Sequence, residues 1–264
     1  MKIAIISDIH GNNIALQAVL NDIRNRNIED IIFLGDSVFN GPQPKEVFKT
    51  LRQLSKLTWI KGNTDMWYSN MGQDFCPNNE KEHILYSRLK YGLDLLPDEY
   101  LTFTESLPEK VILNYEEIKF LCVHGSTRSI NEVINPFDEK KMYQIIEGIN
   151  EDIILCGHSH RAFVKRVIDK LIVNPGSVGI SMGENSDATY AVMDVNGSHI
   201  DVDIIRVKYE IDKIINLAKE SNFPYIEKYL DLLMNVNIWY KKHQLTKNSH
   251  SAWLEKTAKL YLRS

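Results

Sequence analysis

A chain of 264 residues is long enough for one large domain, or for one domain with a small appendage. The hydrophobic fraction of 44% and the charged fraction of 25% exclude a largely disordered, collagen-like or coiled-coil protein. With 31 Lys and Arg against 35 Asp and Glu, the net charge of −4 gives no indication of binding to duplex nucleic acid or to an anionic membrane.

Cysteine content and the N-terminal sequence indicate the compartment. Three scattered cysteines, Cys76, Cys122 and Cys156, exclude a disulfide scaffold and a CxxC zinc site, and we expect them to be small buried residues. The first residues run straight into Ser7 without room for a leader peptide. No stretch approaches the roughly 20 apolar residues of a membrane-spanning helix. These features predict a cytoplasmic protein.

The first 160 residues predict strands that alternate with helices. Short apolar runs, typical of strands, cover residues 2–7, 31–34, 57–60, 120–123 and 153–156. Apolar residues at helical spacing follow the first two runs, the first behind the cap residues Asn12 and Asn13, and another helical stretch covers about 139–149. This alternation is typical of an α/β sheet with a parallel portion.

Two later segments depart from that alternation. Residues 78–107 contain helical stretches and the aromatic residues Tyr86, Tyr91, Tyr100 and Phe103, which we expect to form one wall of a cleft. Residues 162–207 are rich in strand patterns and turns, which predicts a second, more antiparallel sheet. Two sheets packed face to face and flanked by helices accommodate both observations.

The end of the chain is predicted to be helical from residue 211 onward. One helical face carries Tyr225, Tyr229, Leu232, Leu233 and Val236. We therefore divide the chain into a catalytic-type domain at 1–210 and a C-terminal helical extension at 211–264. We expect the extension to pack on the domain or to mediate self-association into a homo-oligomer.

Residues of the kinds that bind metal ions follow the predicted strands. They are Asp8, His10, Asp36, Asn63, His124, His158 and His160. Ligands bind beyond the carboxyl ends of strands in α/β sheets, so these distant positions can converge there. Singly, each is more typical of a turn, a helix cap or a structural histidine. Together, two carboxylates, one amide and four imidazoles exceed what one tetrahedral zinc needs and predict two metal ions.

Spacing supports this convergence at close range. In Asp8-Ile9-His10 and His158-Ser159-His160 the outer residues are two positions apart. We expect extended backbone there, which would direct both outer side chains the same way.

The motifs around these residues resemble the calcineurin-like metallophosphoesterases, particularly their small bacterial and archaeal phosphodiesterases and dinucleoside tetraphosphatase-like proteins. The matching blocks are Ser7-Asp8-Ile9-His10-Gly11-Asn12, Gly35-Asp36-Ser37-Val38-Phe39-Asn40-Gly41-Pro42, Gly62-Asn63-Thr64-Asp65, Val123-His124-Gly125-Ser126, Gly157-His158-Ser159-His160 and Asn174-Pro175-Gly176-Ser177-Val178-Gly179. The resemblance extends from Met1 to about Val207.

This resemblance implies a four-layer α/β/β/α sandwich of two mixed sheets flanked by helices, with a dinuclear metal site. Asp8, His10 and His160 would hold one ion, Asn63, His124 and His158 the other, and Asp36 would bridge both. Manganese and iron fit such mixed ligands best, and zinc, nickel and cobalt also fit. The implied reaction is attack of a metal-bridging hydroxide on phosphorus without a covalent intermediate, with Asp36, His124 and Thr64 as catalytic residues.

Thr64 departs from the family pattern, in which a histidine commonly follows the metal-binding asparagine and assists the leaving group. A threonine donates a hydrogen bond but cannot supply a proton near pH 7. Leaving groups of low basicity should suffer least from this difference. We therefore expect phosphodiester or phosphoanhydride substrates rather than alkyl phosphomonoesters.

Candidate substrate contacts are Asn63, Arg128 and Arg161. Both arginines lie just beyond metal-ligand blocks, where a guanidinium can bind a phosphate through two hydrogen bonds, although a solvated surface arginine is an equal alternative. Trp67 and Tyr68 either stack on a base or pack in the core.

These features together predict a metal-dependent phosphoesterase that hydrolyses small phosphodiester or nucleotide-type substrates. A dinucleoside tetraphosphate hydrolase and a protein phosphatase are alternatives within the enzymes. A binding scaffold of the same fold is the non-enzyme alternative, and the presence of all seven ligand types argues against it. The expected partner is a small phosphorylated molecule such as a nucleotide, with no membrane and no duplex nucleic acid.

Overall fold

The computed structural model describes residues 1–70, 75–182, 186–197 and 199–242. Its strands are β1 Lys2–Ile6, β2 Asp30–Phe33, β3 Leu57–Trp59, β4 Lys110–Tyr115, β5 Ile118–Val123, β6 Ile153–Leu155, β7 Phe163–Val167, β8 Lys170–Asn174, β9 Ala188–Asn196 and β10 His199–Val207. Its helices are α1 Asn13–Asn25, α2 Pro44–Arg52, α3 Asn63–Asn70, α4 Glu80–Leu95, α5 Glu99–Ser106, α6 Glu139–Ile146, α7 Ile211–Glu220 and α8 Ile226–Lys242.

The strands form two mixed five-stranded sheets. The first has the order β10-β9-β1-β2-β3 and the second the order β4-β5-β6-β8-β7. β1, β2 and β3 run parallel to one another, and so do β5, β6 and β8. Parallel strands end at the same edge, so each sheet places several strand-to-helix loops side by side.

The predicted second sheet at 162–207 is wrong in its membership. β7 and β8 join the sheet of β4–β6, whereas β9 and β10 join the sheet of β1–β3. β9 is buried on both faces, because Ala191 and Met193 face the second sheet while Tyr190 and Val192 face α1 and its neighbours. Such a strand is stable only inside a sheet, and β9 pairs with β1 on one side and β10 on the other.

Packing on the two sheets produces the four layers. Ile5, Ile32, Phe120, Leu155 and Met193 meet between the sheets in one buried cluster. A second buried cluster lies between the outer face of the first sheet and helices α1 and α2. A third lies between the outer face of the second sheet and helix α6. The α/β/β/α sandwich is thereby confirmed. The Asn12 cap is also confirmed, because its side chain accepts a hydrogen bond from the Ala15 N–H at 3.0 Å.

Two expectations about individual side chains need correction. Tyr100 in α5 is fully buried against Phe48 and Tyr68, with ring centroids 5.2 and 5.4 Å apart, so it is part of the core rather than of an open cleft wall. Cys122 and Cys156 are buried as expected, but Cys76 is exposed because it lies in the irregular stretch before α4.

The C-terminal helices pack through one apolar face. Tyr229 and Leu233 of α8 are buried in a cluster with Ile214 of α7 and with Ile180. Tyr225 is exposed, contrary to the predicted helical face, because it precedes α8 with a φ of 53° and does not follow the helical period. The side chain of Val236 and residues 243–264 lie outside the described part of the chain. The domain boundary at residue 210 stays a prediction.

Among the described residues, the helices are too short or too polar to cross a membrane.

Candidate metal centre

The predicted ligand residues gather where the parallel strands end. Asp8 and His10 follow β1, Asp36 follows β2, and Asn63 begins α3 shortly after β3. His124 follows β5 directly, and His158 and His160 follow β6. One crevice between the carboxyl ends of both sheets therefore receives side chains from five separate loops, as the strand pattern predicts.

The first group of ligand atoms surrounds one carboxylate oxygen of Asp8. Its Oδ1 atom lies 3.2 Å from His160 Nε2 and 3.7 Å from His10 Nε2. The two Nε2 atoms are themselves 2.9 Å apart. Three ligand atoms of these residues lie within 4.8 Å of one another, a spacing suited to one metal ion.

Asp36 connects this group to the second one. Its Oδ2 atom lies 3.7 Å from His10 Nε2 and 3.5 Å from His124 Nε2. His124 Nε2 lies 2.9 Å from Asn63 Oδ1, and the rings of His124 and His158 have centroids 5.2 Å apart. The position of Asp36 between the two groups is the one that a bridging carboxylate would occupy.

Backbone carbonyls set the tautomers of three imidazoles. The Nδ1 atoms of His10, His124 and His160 lie 3.0, 2.7 and 2.8 Å from the carbonyl oxygens of Phe39, Leu34 and Ile180. A carbonyl only accepts, so Nδ1 carries a proton in each ring and Nε2 is the nitrogen that faces the crevice.

His158 is oriented the other way round. Its Nε2 atom lies 3.2 Å from the Asn131 carbonyl, so this nitrogen carries the proton and Nδ1 is the atom left for a metal ion. The backbone N–H of His158 also donates to Asp8 Oδ2 at 3.1 Å, which ties the two ligand loops together.

Five of the predicted ligands have left-handed backbone conformations, which corrects the extended backbone expected for the Asp8-His10 and His158-His160 pairs. They are Asp8, His10, Asp36, His158 and His160, with φ between 48° and 63°. Each such residue costs on the order of 1–3 kcal/mol, and clusters of them are typical of functional sites. The turns direct the side chains inward immediately after each strand.

Two glycines allow these loops to approach one another. A Cβ atom on Gly62 would lie 2.2 Å from Asp36 Oδ1, and one on Gly157 would lie 2.1 Å from Ser7 Oγ. Either contact is far below van der Waals distance. These positions require glycine because the carboxylate of Asp36 and the loop of Asp8 occupy the space of a side chain.

Asp65 is a positioning residue that sequence reasoning missed. This buried carboxylate accepts hydrogen bonds from the backbone N–H groups of Asp36, Ser37 and Gly62 at 2.9, 3.0 and 2.9 Å, and from Ser37 Oγ at 2.6 Å. It thus fixes the Asp36 loop against the loop of Asn63. Asp65 stands in a motif block next to Thr64, and that proximity was the available signal.

Asn174 and Ser177 were missed as well, although their motif was noticed. Asn174 Nδ2 donates to the Gly157 carbonyl at 2.6 Å and to Ser159 Oγ at 3.1 Å. Ser177 Oγ donates to the Asp8 carbonyl at 2.8 Å. The segment 174–177 therefore connects the loop of Asp8 to the loop of His158.

Charge and burial shift the pKa values of the site in opposing directions. Burial raises the pKa of Asp36, but His124 and His10 together outweigh it and hold that pKa at about 2. Burial lowers the pKa of His124, but Asp36, Asp8 and the Leu34 carbonyl together outweigh it and raise the value to about 9. Burial and the nearby His124 lower the pKa of His158 to about 4. The carboxylates therefore favour positive charge at the centre of the crevice.

Thr64 lies directly beside this centre. Its backbone N–H donates to Asp36 Oδ1 at 2.9 Å, and its buried Oγ1 atom has no hydrogen-bond partner among the described residues. Its hydroxyl therefore has unused hydrogen-bonding capacity next to Asp36.

The arginine candidates have different surroundings. Both Nε and Nη2 of Arg128 bond to the carboxylate of Glu132 within the same loop, with Nε at 2.9 Å, so this guanidinium already has an anionic partner. Arg161 is half-buried beside His160. Trp67 and Tyr68 pack internally, Trp67 on Phe39 at 5.1 Å between ring centroids and Tyr68 almost fully buried.

A family model for the calcineurin-like phosphoesterase superfamily domain matches residues 1–198. The chain belongs to this superfamily. An uncharacterized protein of Methanocaldococcus jannaschii is 32% identical over 239 residues, which cover 84% of this chain and 93% of that protein. A metallophosphoesterase of Sphaerobacter thermophilus has a solved structure with a TM-score of 0.71 and 27% identity, covering 88% of this chain and 98% of that one.

Two further relatives have named activities. A phosphodiesterase of M. jannaschii is 23% identical over 176 residues, 67% of this chain and 83% of that protein. A symmetrical bis(5'-nucleosyl)-tetraphosphatase of Coxiella burnetii is 32% identical over 123 residues, 46% of this chain and 40% of that protein. This calcineurin-like chain is accordingly a phosphoester hydrolase of a metal-dependent family, and its crevice contains candidate metal-binding residues.

Proposed function

We propose that the protein hydrolyses small phosphodiester or nucleotide-type substrates with two divalent cations bound in the crevice. The observation that carries this proposal is the surroundings of Asp8 Oδ1. This buried oxygen has no hydrogen-bond partner among the described residues, although two imidazole nitrogens lie within 3.7 Å of it. The Nδ1 protons of His10 and His160 point to backbone carbonyls and away from this oxygen.

The residues fit a metal ion for the same reason. A buried carboxylate oxygen and two inward lone pairs 2.9 Å apart repel one another unless a positive charge lies among them. Without a metal, a proton partly fills that role, since Asp8 and Asp36 overcome burial and raise the pKa of His10. A divalent cation would satisfy all three atoms.

The ligand sets in this proposal are those that the family resemblance implies, and the spacing of Asp8, His10 and His160 supports the first of them. Asp8, His10 and His160 would hold the first ion, Asn63, His124 and His158 the second, and Asp36 would contact both. These mixed oxygen and nitrogen ligands suit manganese or iron, and also zinc, nickel or cobalt. When bound, two such ions supply Lewis acidity toward a phosphate and an activated water near neutral pH.

The remaining residues bind and orient the substrate in this proposal. Asp36 and His124 keep a fixed geometry through Thr64 N–H and the Leu34 carbonyl. The Thr64 hydroxyl donates to the leaving-group oxygen, and Asn63 and Arg161 contact the phosphate. Arg128 is the weaker candidate because Glu132 already pairs with it.

The substrate class rests on Thr64 and on the relatives. A hydroxyl cannot protonate a leaving group near pH 7, so diesters and anhydrides with weakly basic leaving groups are favoured. The phosphodiesterase relative agrees with this choice. Dinucleoside tetraphosphate hydrolysis is the second candidate, supported by the tetraphosphatase relative, which this chain matches over only part of its length. The cytoplasmic location and self-association stay predictions.

The test is a substrate panel with the manganese-loaded protein. We expect bis-p-nitrophenyl phosphate or a dinucleoside polyphosphate to be cleaved faster than a simple alkyl phosphate. Asp36→Asn is the control, and it should abolish the metal-dependent turnover. Faster cleavage of the alkyl phosphate than of the diester and the dinucleoside polyphosphate would reject the proposed substrate class. Turnover that depends on neither added metal nor Asp36 would reject the proposed metal site.

A further inference from the structure

The first metal position is attached to the C-terminal helices through the carbonyls that orient its two histidines. His10 Nδ1 donates to the Phe39 carbonyl, and His160 Nδ1 donates to the Ile180 carbonyl. We propose that α7 and α8 hold these two carbonyls in place, with Arg88 as the positioning residue that anchors them. This inference rests on the ligand assignment of the proposed function.

Arg88 connects the helices to the His10 side of the site. Its buried guanidinium bonds to Asn40 Oδ1, directly after Phe39 in the chain. The same group donates to the Pro224 carbonyl at 3.3 Å and to the Tyr225 carbonyl at 3.1 Å, in the link between α7 and α8. One side chain thus fastens the loop that orients His10 to the C-terminal extension.

The ring of Phe223 supports the same connection. Arg88 Cζ lies 5.2 Å from the centroid of this ring, and Tyr91 packs edge-on against it at 5.1 Å. Tyr91 in turn donates from its hydroxyl to the Pro42 carbonyl at 3.0 Å. Two neighbouring side chains of α4 therefore reach residues 40 and 42 of the His10 loop.

Ile180 connects the helices to the His160 side. Its side chain is buried in the cluster formed by Ile214, Phe223, Tyr229 and Leu233 of the C-terminal extension. Its carbonyl oxygen accepts a hydrogen bond from the Nδ1 atom of His160 at 2.8 Å. Packing against α7 and α8 therefore determines where that acceptor lies.

The second metal position has no comparable attachment among the described residues. His124 Nδ1 donates to the Leu34 carbonyl, and Leu34 lies in the cluster between the two sheets. That acceptor belongs to the sandwich itself. A disturbance of the C-terminal helices should consequently reach His10 and His160 and spare His124.

The expected effect is a selective loss of affinity at one of two metal positions. Substitutions of groups that orient a metal-binding histidine typically weaken metal binding by 10–100-fold. Arg88→Met removes the guanidinium and keeps the length of the side chain. We expect it to weaken Mn²⁺ binding about tenfold at the first position and to leave the second unchanged.

The experiment titrates the full chain with Mn²⁺ and follows free ion by electron paramagnetic resonance. Arg88→Met is measured in two backgrounds, His160→Ala to disable the first position and His158→Ala to disable the second. Arg88→Met should weaken Mn²⁺ binding in the His158→Ala background and have no effect on it in the His160→Ala background. Arg88→Lys should restore part of the affinity.

Matched variants separate positioning from general stability. Arg52 also lies over an aromatic ring, with Cζ 4.4 Å from the centroid of Phe103. Arg52→Met removes this guanidinium and should leave the Mn²⁺ affinity of both positions unchanged. Asn40→Gly deletes the acceptor of Arg88 while suiting the φ of 76° at this position, and should reproduce the Arg88→Met effect even if the latter folds poorly.

Equal weakening in both backgrounds, or a lower unfolding temperature with both affinities intact, would overturn the proposal. A wild-type protein that binds no Mn²⁺ would instead reject the proposed function. The two failures are therefore distinguishable.

Discussion

In the proposed function, the Thr64 hydroxyl stands where a proton donor would widen the range of leaving groups. Thr64→His should raise kcat for alkyl phosphomonoesters by about tenfold or more, because an imidazole can protonate an alkoxide near pH 7. The ratio of kcat for an alkyl phosphate to that for an aryl phosphate measures this effect. Thr64→Val is the matched control without a hydroxyl, and an unchanged ratio in Thr64→His would rule out a leaving-group role.

Arg161 lies beside a metal-ligand block and tests the substrate-binding assignment. Arg161→Ala should raise KM about tenfold with a smaller change in kcat, because one charge-assisted hydrogen bond to phosphate is lost. Steady-state kinetics with the best diester substrate measure both constants. An unchanged KM would show that Arg161 does not bind the substrate.

Asp65 holds two loops through four donors, so its charge matters to the metal-free fold. Asp65→Asn replaces one acceptor oxygen by an amide that faces N–H donors, and should lower the free energy of unfolding by about 1–3 kcal/mol. Urea unfolding of the metal-free protein measures this change. The control is Asp98→Asn, because Asp98 is exposed and makes no capping hydrogen bond. Equal stability of the two variants would contradict the positioning role.

At the scale of single elements, the start of α1 links a helix to the site. Asn12 caps this helix and donates from Nδ2 to the Gly179 carbonyl at 3.2 Å. Asn12→Ala should lower the free energy of unfolding by about 1–2 kcal/mol. Gln43→Ala is the control, since Gln43 precedes α2 without a capping hydrogen bond. Thermal unfolding distinguishes them, and equal midpoints would disprove the capping contribution.

The strands and helices show where local patterns are reliable. β1, β2, β3, β5 and β6 form where short apolar runs predicted them, because burial on both faces of a parallel sheet needs such runs. α6 ends at Ile146 rather than near residue 149, because Gly148 adopts a φ of 75° that a helix cannot continue. Helix ends depend on such single residues more than on the overall pattern.

At the scale of the whole molecule, metal binding and proton release should be coupled. Burial is outweighed by Asp36, Asp8 and the Leu34 carbonyl, which raise the pKa of His124 from 6.5 to about 9, so the metal-free protein carries a proton there at pH 7. An incoming ion must displace that proton. Calorimetric titration with Mn²⁺ at pH 7 in buffers of different ionisation enthalpy should therefore report proton release, with His124 as one source and His10, whose pKa is also raised, as another, and less release above pH 9.

The same shift predicts how metal-free stability depends on pH. Because the folded pKa of His124 exceeds the unfolded value, its contribution is complete below pH 6.5 and disappears as the pH rises through about 9. Stability that does not fall over this interval in the metal-free protein would contradict a protonated His124.

The gathering of the candidate ligands was predictable because each one follows shortly after an apolar strand run, and the ends of parallel strands must lie at one edge. Their chemistry depends on residue type, which can be read directly from the sequence. Asp65, Asn174 and Ser177 were not predictable in this way. They act through hydrogen bonds to backbone groups up to 169 positions away, as between Ser177 and the carbonyl of Asp8, and no local pattern marks such partners.

The amino-acid order alone thus determined the alternating α/β architecture, the types of candidate ligand and their places after strand ends, since these depend on neighbours along the chain. Folding in three dimensions decided that β9 lies beside β1, that Cys76 and Tyr225 are exposed, and that Phe39 and Ile180 orient two imidazoles. Those outcomes depend on which distant surfaces fit together, and the free energy of that fit is shared by many contacts rather than carried by any one segment.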